Sequence, residues 1–187
     1  MKHTPEMIQK IKDYKRQLKK DNVYNENPEI CAILLSFNHV YNVDMLHKGL
    51  EKSKFDEVII CEDGSIDGSF EKWNDLLEKR NHYILRSRDI HELRAYDKAI
   101  KMSESKIFCL LQDDDIIPES RDWVDEALTL FKKYPKLGIL GGARGRNITF
   151  KEEHCYGLNR KTIPYKDSDT DRDFMFIENI NIGPYFM

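Results

Sequence analysis

Lys106-Ile-Phe-Cys-Leu-Leu-Gln-Asp-Asp-Asp-Ile-Ile-Pro118 decides how the rest of the chain reads. An apolar run, residues 107–111, stops at three consecutive carboxylates, Asp113, Asp114 and Asp115; apolar residues resume at Ile116 and Ile117, and Pro118 closes the segment. A short continuous apolar run bounded in this way reads as a strand buried on both faces. The carboxylates then stand just past the strand's C-terminal end, the edge at which open α/β sheets bind ligands. Three adjacent like charges repel one another and are comfortable only in water or against a cation. Oxygen donors at this density suit Mg2+ or Mn2+. A solvated acidic turn would have the same composition; the position after a core strand is what favours a site.

Outward from this stretch, strand and helix patterns alternate. Residues 30–35, 57–61, 82–85, 106–111 and 137–140 read as strands, and residues 41–52, 70–80, 90–103 and 123–134 as helices between them. In the third of these helices Leu93, Tyr96 and Ile100 are expected on the core face. Such alternation predicts an α/β fold with a mostly parallel sheet and helices on both faces. Residues 143–173 break the rhythm with polar, charged sequence, and a last strand is expected over 174–182. Upstream, Thr4-Pro5-Glu6 is a helix start, with Thr4 as N-cap and Pro5 at the first helical position. That helix runs to about Lys20, and a polar linker follows to Pro28. Met7, Ile8, Ile11, Tyr14 and Leu18 give it a loose apolar stripe, while Lys10, Lys12, Lys15, Arg16, Lys19 and Lys20 make its other faces basic. This reads as a solvated face, with an acidic membrane surface as the alternative.

Composition narrows the class. With 40% hydrophobic and 34% charged residues over 187 positions, the chain is a folded globular protein rather than a disordered one. A net charge of −3 gives no general attraction to nucleic acid. No apolar run is long enough for a membrane span, and no signal-peptide pattern opens the chain. Cys31, Cys61, Cys109 and Cys155 form no CxxC pair, and a reducing, cytoplasmic setting is expected. There is no P-loop motif. Gly141-Gly-Ala-Arg-Gly-Arg146 lacks dinucleotide-binding spacing, and no GxSxG or HExxH occurs.

Three strand ends are polar where their strands are not: Ser36-Phe37-Asn38, the run Glu62-Asp-Gly-Ser-Ile-Asp-Gly-Ser69, and the aspartate triplet. In a parallel sheet all three emerge on one edge. A tight turn capped by Asp67 or Ser69 accounts for the glycines of the second cluster. It does not account for Glu62 and Asp63 coming directly off a buried strand, where a carboxylate can accept the N–H of a nucleobase. Arg94, one turn into the next helix, suits a diphosphate, with a surface ion pair to Glu92 or Asp97 as the alternative. His91 reads as a hydrogen-bonding loop residue, with metal ligation as its alternative.

This ordered set of motifs resembles the family 2 glycosyltransferases of the GT-A fold. The resemblance rests on Ser36-Phe-Asn38, Glu62 to Ser69, Arg94, and Leu111-Gln-Asp-Asp-Asp-Ile-Ile-Pro118, covering residues 29–142 with an echo in 174–184. It implies a nucleotide-sugar donor, UDP- or GDP-linked, a divalent cation, Mn2+ or Mg2+, and an inverting transfer to a glycan, protein or lipid acceptor. Ser36, Asn38, Asp63 and Ser65 would line the base and ribose, Arg94 would face the diphosphate, and Asp113 and Asp114 would complete the nucleotide-sugar site. Asp113 and Asp115 would hold the metal. Gln112 and Tyr96 depart from residues common in the family, Asp and Asn. The family's general base, an Asp or Glu beyond the last strand, is not identified by any motif; Asp169, Asp171, Asp173 and Glu178 are the carboxylates in that half. The expected organisation is an N-terminal helix and linker over residues 1–28 and a glycosyltransferase domain over 29–187. Within the domain, 29–142 would bind the donor, and 143–187 would be an incomplete acceptor part that a further domain or chain completes. The rival classes are a nucleotide-sugar binding module without efficient transfer, and a nucleotidyltransferase, whose Gly-rich basic loop is missing after the first strand.

Overall fold

The computed structural model describes residues 4–20, 27–77, 81–141, 165–166, 173–174 and 184–187. Helix α1 (Pro5–Lys20) opens as its sequence predicts, the Thr4 hydroxyl accepting from the Met7 N–H at 3.3 Å. Then follow β1 (Ile30–Ser36), α2 (Val43–Ser53), β2 (Glu57–Glu62), α3 (Ser69–Leu76), β3 (His82–Arg86), α4 (Glu92–Met102), β4 (Ile107–Gln112) and α5 (Asp122–Lys133). Four two-residue strands end the chain: β5 (Leu140–Gly141), β6 (Tyr165–Lys166), β7 (Asp173–Phe174) and β8 (Tyr185–Phe186). A six-stranded sheet runs β3-β2-β1-β4-β8-β5. Strands β1 to β4 are mutually parallel, and β8 is antiparallel to both β4 and β5.

The period of two along the central strands builds a core on each face of the sheet. Ile30, Ala32 and Leu34 of β1, with Val58 and Ile60 of β2, pack against residues of α2, α3 and α5, among them Leu46, Trp73 and Val124. The alternate residues Cys31, Ile33, Ile59 and Cys61 pack against Ala95, Tyr96 and Ala99 of α4. A strand buried on both faces must be apolar throughout, which is why 30–35 reads as one continuous run. Cys31, Cys61 and Cys109 are free and buried; burial pushes the Cys61 thiol up to about 12, so it behaves as a small hydrophobe.

The chain leaves β1 for β2 on one side and returns through β4 on the other. The order therefore reverses between β1 and β4, and the crevice outside their C-terminal ends is the place where such sheets bind ligands. Those ends are Ser36 and Gln112.

Several expected boundaries shift for physical reasons. Helix α3 stops at Leu76, and residues 78–80 lie outside the described set. Helix α4 begins at Glu92 rather than at residue 90, because the Ile90 and His91 N–H groups are drawn to the Asp63 carboxylate and Asp89 and His91 take positive φ angles of 50° and 63°. Ala95, Tyr96 and Ala99 carry that helix's buried face, and Leu93, expected in the core, is 77% exposed. The fifth strand is Leu140–Gly141, not 137–140. Phe174 belongs to β7, which pairs with β6; the remainder of the strand expected over 174–182 lies outside the described residues, and Tyr185–Phe186 supplies the antiparallel strand beside β4. Among the described residues no helix is long and apolar enough to cross a membrane.

Candidate active site

The loops leaving β1, β2 and β4 meet at one edge and are stitched together by side chains bonding to backbone. Asn38, at φ 54°, donates its backbone N–H to the Ser65 hydroxyl at 3.0 Å, and its side-chain carbonyl accepts from the Ile66 N–H at 2.9 Å. The Val40 N–H donates to Asp67 at 2.8 Å. Asp67 also accepts from the Ser69 N–H and hydroxyl, closing the turn into α3; Gly68, at φ 94°, holds the N-cap position that Asp67 or Ser69 was expected to fill. On the other side, the Phe37 N–H donates to Asp113 Oδ2 at 2.6 Å, and Asn42 donates to the Asp113 carbonyl at 2.8 Å. His39 Nδ1 lies 2.7 Å from Asp113 Oδ1, close but outside hydrogen-bonding angles. The sequence marked Asn38, Ser65 and Asp113. It gave no sign that Asn42 grips the aspartate loop or that His39 lies against it, because both occupy unpatterned loop positions and Asp113 is 71 or more residues away.

Ser36 is buried, and its hydroxyl accepts from the Trp73 indole N–H at 3.0 Å. Its side chain therefore faces the core, and Phe37, 42% exposed, presents an aromatic ring at the edge instead. Glu62 is fully buried: Oε1 accepts the Ser65 N–H at 2.6 Å and Oε2 lies 3.2 Å from Arg86 Nε, whose guanidinium also covers the Phe70 ring. The Oε2 contact is an ion pair by distance without hydrogen-bond geometry.

Asp63 anchors the β3–α4 loop. Oδ1 accepts the Ser87 hydroxyl at 2.6 Å and the Ile90 N–H at 2.9 Å, and Oδ2 accepts the His91 N–H at 2.9 Å. A carboxylate has about four acceptor positions. These three bonds leave one, on Oδ2. Burial alone would raise this carboxyl's pKa, but the bonds from Ser87, Ile90 and His91 outweigh it and hold it below the usual carboxylate range. Asp63→Asn is expected to cost about 1–3 kcal/mol at neutral pH, since an amide turns one acceptor into a donor facing the His91 N–H. The sign with pH follows from the lowered value. The stability Asp63 contributes is present above its unfolded pKa of about 3.9 and is lost as pH falls through the lower folded value. Urea unfolding of both proteins at pH 7 and in the acid range checks this: the gap between them narrows on acidification.

The triplet divides in three. Asp113 is tied to the β1 loop as described. Asp115 is only 4% exposed; its Oδ2 accepts the Gln112 N–H at 2.8 Å while its own N–H donates to the Gln112 carbonyl at 3.1 Å. Asp115 is therefore not in open water, because the strand ends in a tight turn that its carboxylate closes. Asp114 is exposed. Behind the strand, the Tyr96 hydroxyl donates to the Leu111 carbonyl at 2.8 Å, and Gln112 bonds Glu92 at the start of α4. Arg94 is exposed on the first turn of that helix, and His91 is exposed beside it. Asp173 lies in β7; Asp169, Asp171 and Glu178 lie outside the described residues.

Among the described residues no three His, Cys, Asp or Glu side chains gather to hold a metal ion by themselves. The triplet itself offers only carboxylate oxygens, which would suit Mg2+ or Mn2+ of the kind held by one or two carboxylates and completed by phosphate oxygens.

The sequence model described as Glycosyl transferase family 2 matches residues 22–184. No curated protein matches the chain. Among solved structures, Staphylococcus aureus TarS residues 1–349 in complex with UDP superposes with a TM-score of 0.51 at 20% identity, over 66% of this chain and 40% of that one. The same TarS fragment described without UDP gives 0.50 at 18% identity, over 57% and 33%. A CMP:2-keto-3-deoxy-manno-octonic acid synthetase complexed with CTP gives 0.51 at 11% identity, over 84% and 73%. The chain spans about a third to two fifths of the TarS fragment's length. At these identities the likeness is one of fold.

Proposed function

The chain belongs to glycosyl transferase family 2, and from that premise we propose that it forms the donor-binding part of a metal-dependent, inverting glycosyltransferase. The observation that carries this reading is the convergence of the β1, β2 and β4 loops on one sheet edge, where acidic side chains stand beside an exposed aromatic ring. In this reading the last acceptor position on Asp63 Oδ2 takes the ring N–H of uracil or guanine, and the base lies against Phe37. Asn38 and Ser65 hold the loops that shape the pocket. Arg94 faces the diphosphate, where a guanidinium binds two oxygens at once. Asp114, exposed and with Asp113 behind it, would hold a divalent cation, since the Asp115 carboxylate already closes the turn on the Gln112 N–H. When bound, the cation would neutralise charge developing on the departing nucleoside diphosphate.

A nucleotidyltransferase is the fold-level rival, since the CTP-complexed synthetase shares the architecture. Residues 36–42 offer no glycine and no lysine or arginine to cradle a triphosphate, and the family match falls on the glycosyltransferase side.

Calorimetric titration of the chain with UDP, GDP and CDP in the presence of Mn2+ tests the donor assignment. UDP or GDP is expected to bind about tenfold more tightly than CDP, whose ring N3 carries no hydrogen for Asp63. Equal affinities would remove Asp63 from the base pocket.

A further inference from the structure

Three polar side chains gather where β4 meets β8, and neither the loop contacts nor the base and cation assignments use them. Gln112 is the last residue of β4, two beyond Leu110, so by the period of two its side chain stands with Leu110 on the α4 face of the sheet. Its amide Nε2 donates to Glu92 Oε2 at the start of α4, in keeping with that face. Glu92 heads the stripe of α4 that continues through the buried Ala95, Tyr96 and Ala99. Tyr185 is the cross-strand partner of Leu110 and so shares its face; Phe186 beside it turns the other way and meets the Trp123 ring at 5.1 Å. Tyr185 and Gln112 are thus diagonal neighbours, about 7–8 Å apart at the backbone and within reach of an aromatic side chain. Among the described residues the Tyr185 hydroxyl has no hydrogen-bond partner. Burial and the Glu92 and Asp115 carboxylates push its pKa up, so the phenol stays protonated and is a donor.

We propose that Glu92, Gln112 and Tyr185 bind the sugar of the donor, and that this sugar carries no negative charge. The inference rests on the donor reading above, and the strand order gives the place. With the base at β2 and β1 and the cation at the end of β4, the next stretch of edge, from β4 to β8, is where the sugar falls. The chemistry suits hydroxyl groups. The Gln112 amide takes Glu92 Oε2 and leaves Oε1 to accept; the Gln112 side-chain carbonyl accepts as well, and the Tyr185 hydroxyl donates. Neighbouring sugar hydroxyls, each both donor and acceptor, satisfy such a set. A sugar carboxylate only accepts, and it would stand by Glu92 and Asp115, the two charges that bear on the phenol, where like charges repel.

Calorimetric titration in the presence of Mn2+ tests this with donors that differ only in a hydroxymethyl or a carboxylate. The pairs are UDP-glucose with UDP-glucuronic acid and UDP-galactose with UDP-galacturonic acid, or GDP-mannose with GDP-mannuronic acid where GDP is the tighter diphosphate. The neutral member of at least one pair is expected to bind about tenfold more tightly than its acid. Glu92→Gln keeps an acceptor for the Gln112 amide but removes the charge, and is expected to narrow that gap to about threefold or less. Tyr185→Phe is expected to weaken the neutral sugar nucleotide about fivefold. In both variants the affinity for the nucleoside diphosphate alone and the unfolding midpoint stay as in the wild type, which a merely structural role would not allow. The proposal is overturned by equal binding within every pair, by a gap that Glu92→Gln leaves intact, or by diphosphate affinity falling in step with the sugar nucleotide in Tyr185→Phe. Failure of UDP and GDP themselves to bind is a separate result: it strikes the donor reading and the sugar pocket with it.

Discussion

Asp114→Asn is expected to remove the cation-dependent part of nucleoside diphosphate affinity and to lower donor turnover by about 10²–10³-fold, the range seen when one preorganised electrostatic contact to a developing charge is lost. Asp113 is held by the Phe37 N–H and lies against His39, and Asp115 is buried in its reciprocal pair with Gln112, whereas Asp114 is turned to solvent at the β1/β4 switch point. Asp115→Asn should behave differently. It weakens the bond that closes the turn, so its first effect is a loss of about 1–3 kcal/mol of stability, or several degrees in the unfolding midpoint. Titration with and without Mn2+, paired with thermal unfolding of each variant, separates the two residues. Should Asp114→Asn bind as the wild type does while Asp115→Asn loses its Mn2+ response at an unchanged midpoint, the metal carboxylate is Asp115.

The alternating pattern was legible because burial on both faces leaves no room for polar residues in β1 and β2, so the strands announce themselves as unbroken apolar runs. The edge on which the motifs meet was legible for the same reason: once the strands are parallel, every strand-to-helix loop emerges together. The individual roles were not. Ser36 looked like a pocket residue until its hydroxyl was seen under Trp73, and Asp63 looked free until the loop at 87–91 closed on it. Both are long-range contacts, 37 and 24 residues apart, that no local pattern encodes. Helix α4 shows the limit most clearly. Periodicity alone would start it at Ile90, but a carboxylate from another strand competes for the first N–H groups and wins, because a charge-assisted bond in a buried place is stronger than one frayed turn. The closing strand at Tyr185–Phe186 is two residues long, too short to show a period.

Gly49→Ala tests how firmly the aspartate loop is held from below. Asn42, Gly49 and Ser53 are spaced by seven and four, which puts them on one side of α2. Each touches the segment that carries the triplet: Asn42 bonds the Asp113 carbonyl, the Ser53 hydroxyl donates to the Pro118 carbonyl at 3.2 Å, and Gly49 meets Ile117 between them. A Cβ at Gly49 would stand 2.6 Å from Ile117 Cβ, 2.8 Å from its Cγ2 and 2.9 Å from its carbonyl oxygen. Backbone and a Cβ cannot rotate away, so either α2 lifts or the segment after the aspartates shifts. Alanine is the better helix former by about 1 kcal/mol, against an overpacking cost of about 3 kcal/mol at such distances. The net expectation is a loss of about 2 kcal/mol, or roughly 4–8 °C in the midpoint for a domain of this size. Cation-dependent nucleotide affinity should fall with it, since the shift displaces Asp114. Ile117→Ala in the same chain removes Cγ2 but keeps the Cβ and carbonyl, and truncating this buried side chain itself costs about 2–5 kcal/mol, so the double variant should be no more stable than Gly49→Ala. Full rescue would locate the strain in the side chain alone and free the aspartate loop from α2, and an unchanged midpoint in Gly49→Ala would show that the two segments are not pressed together at all.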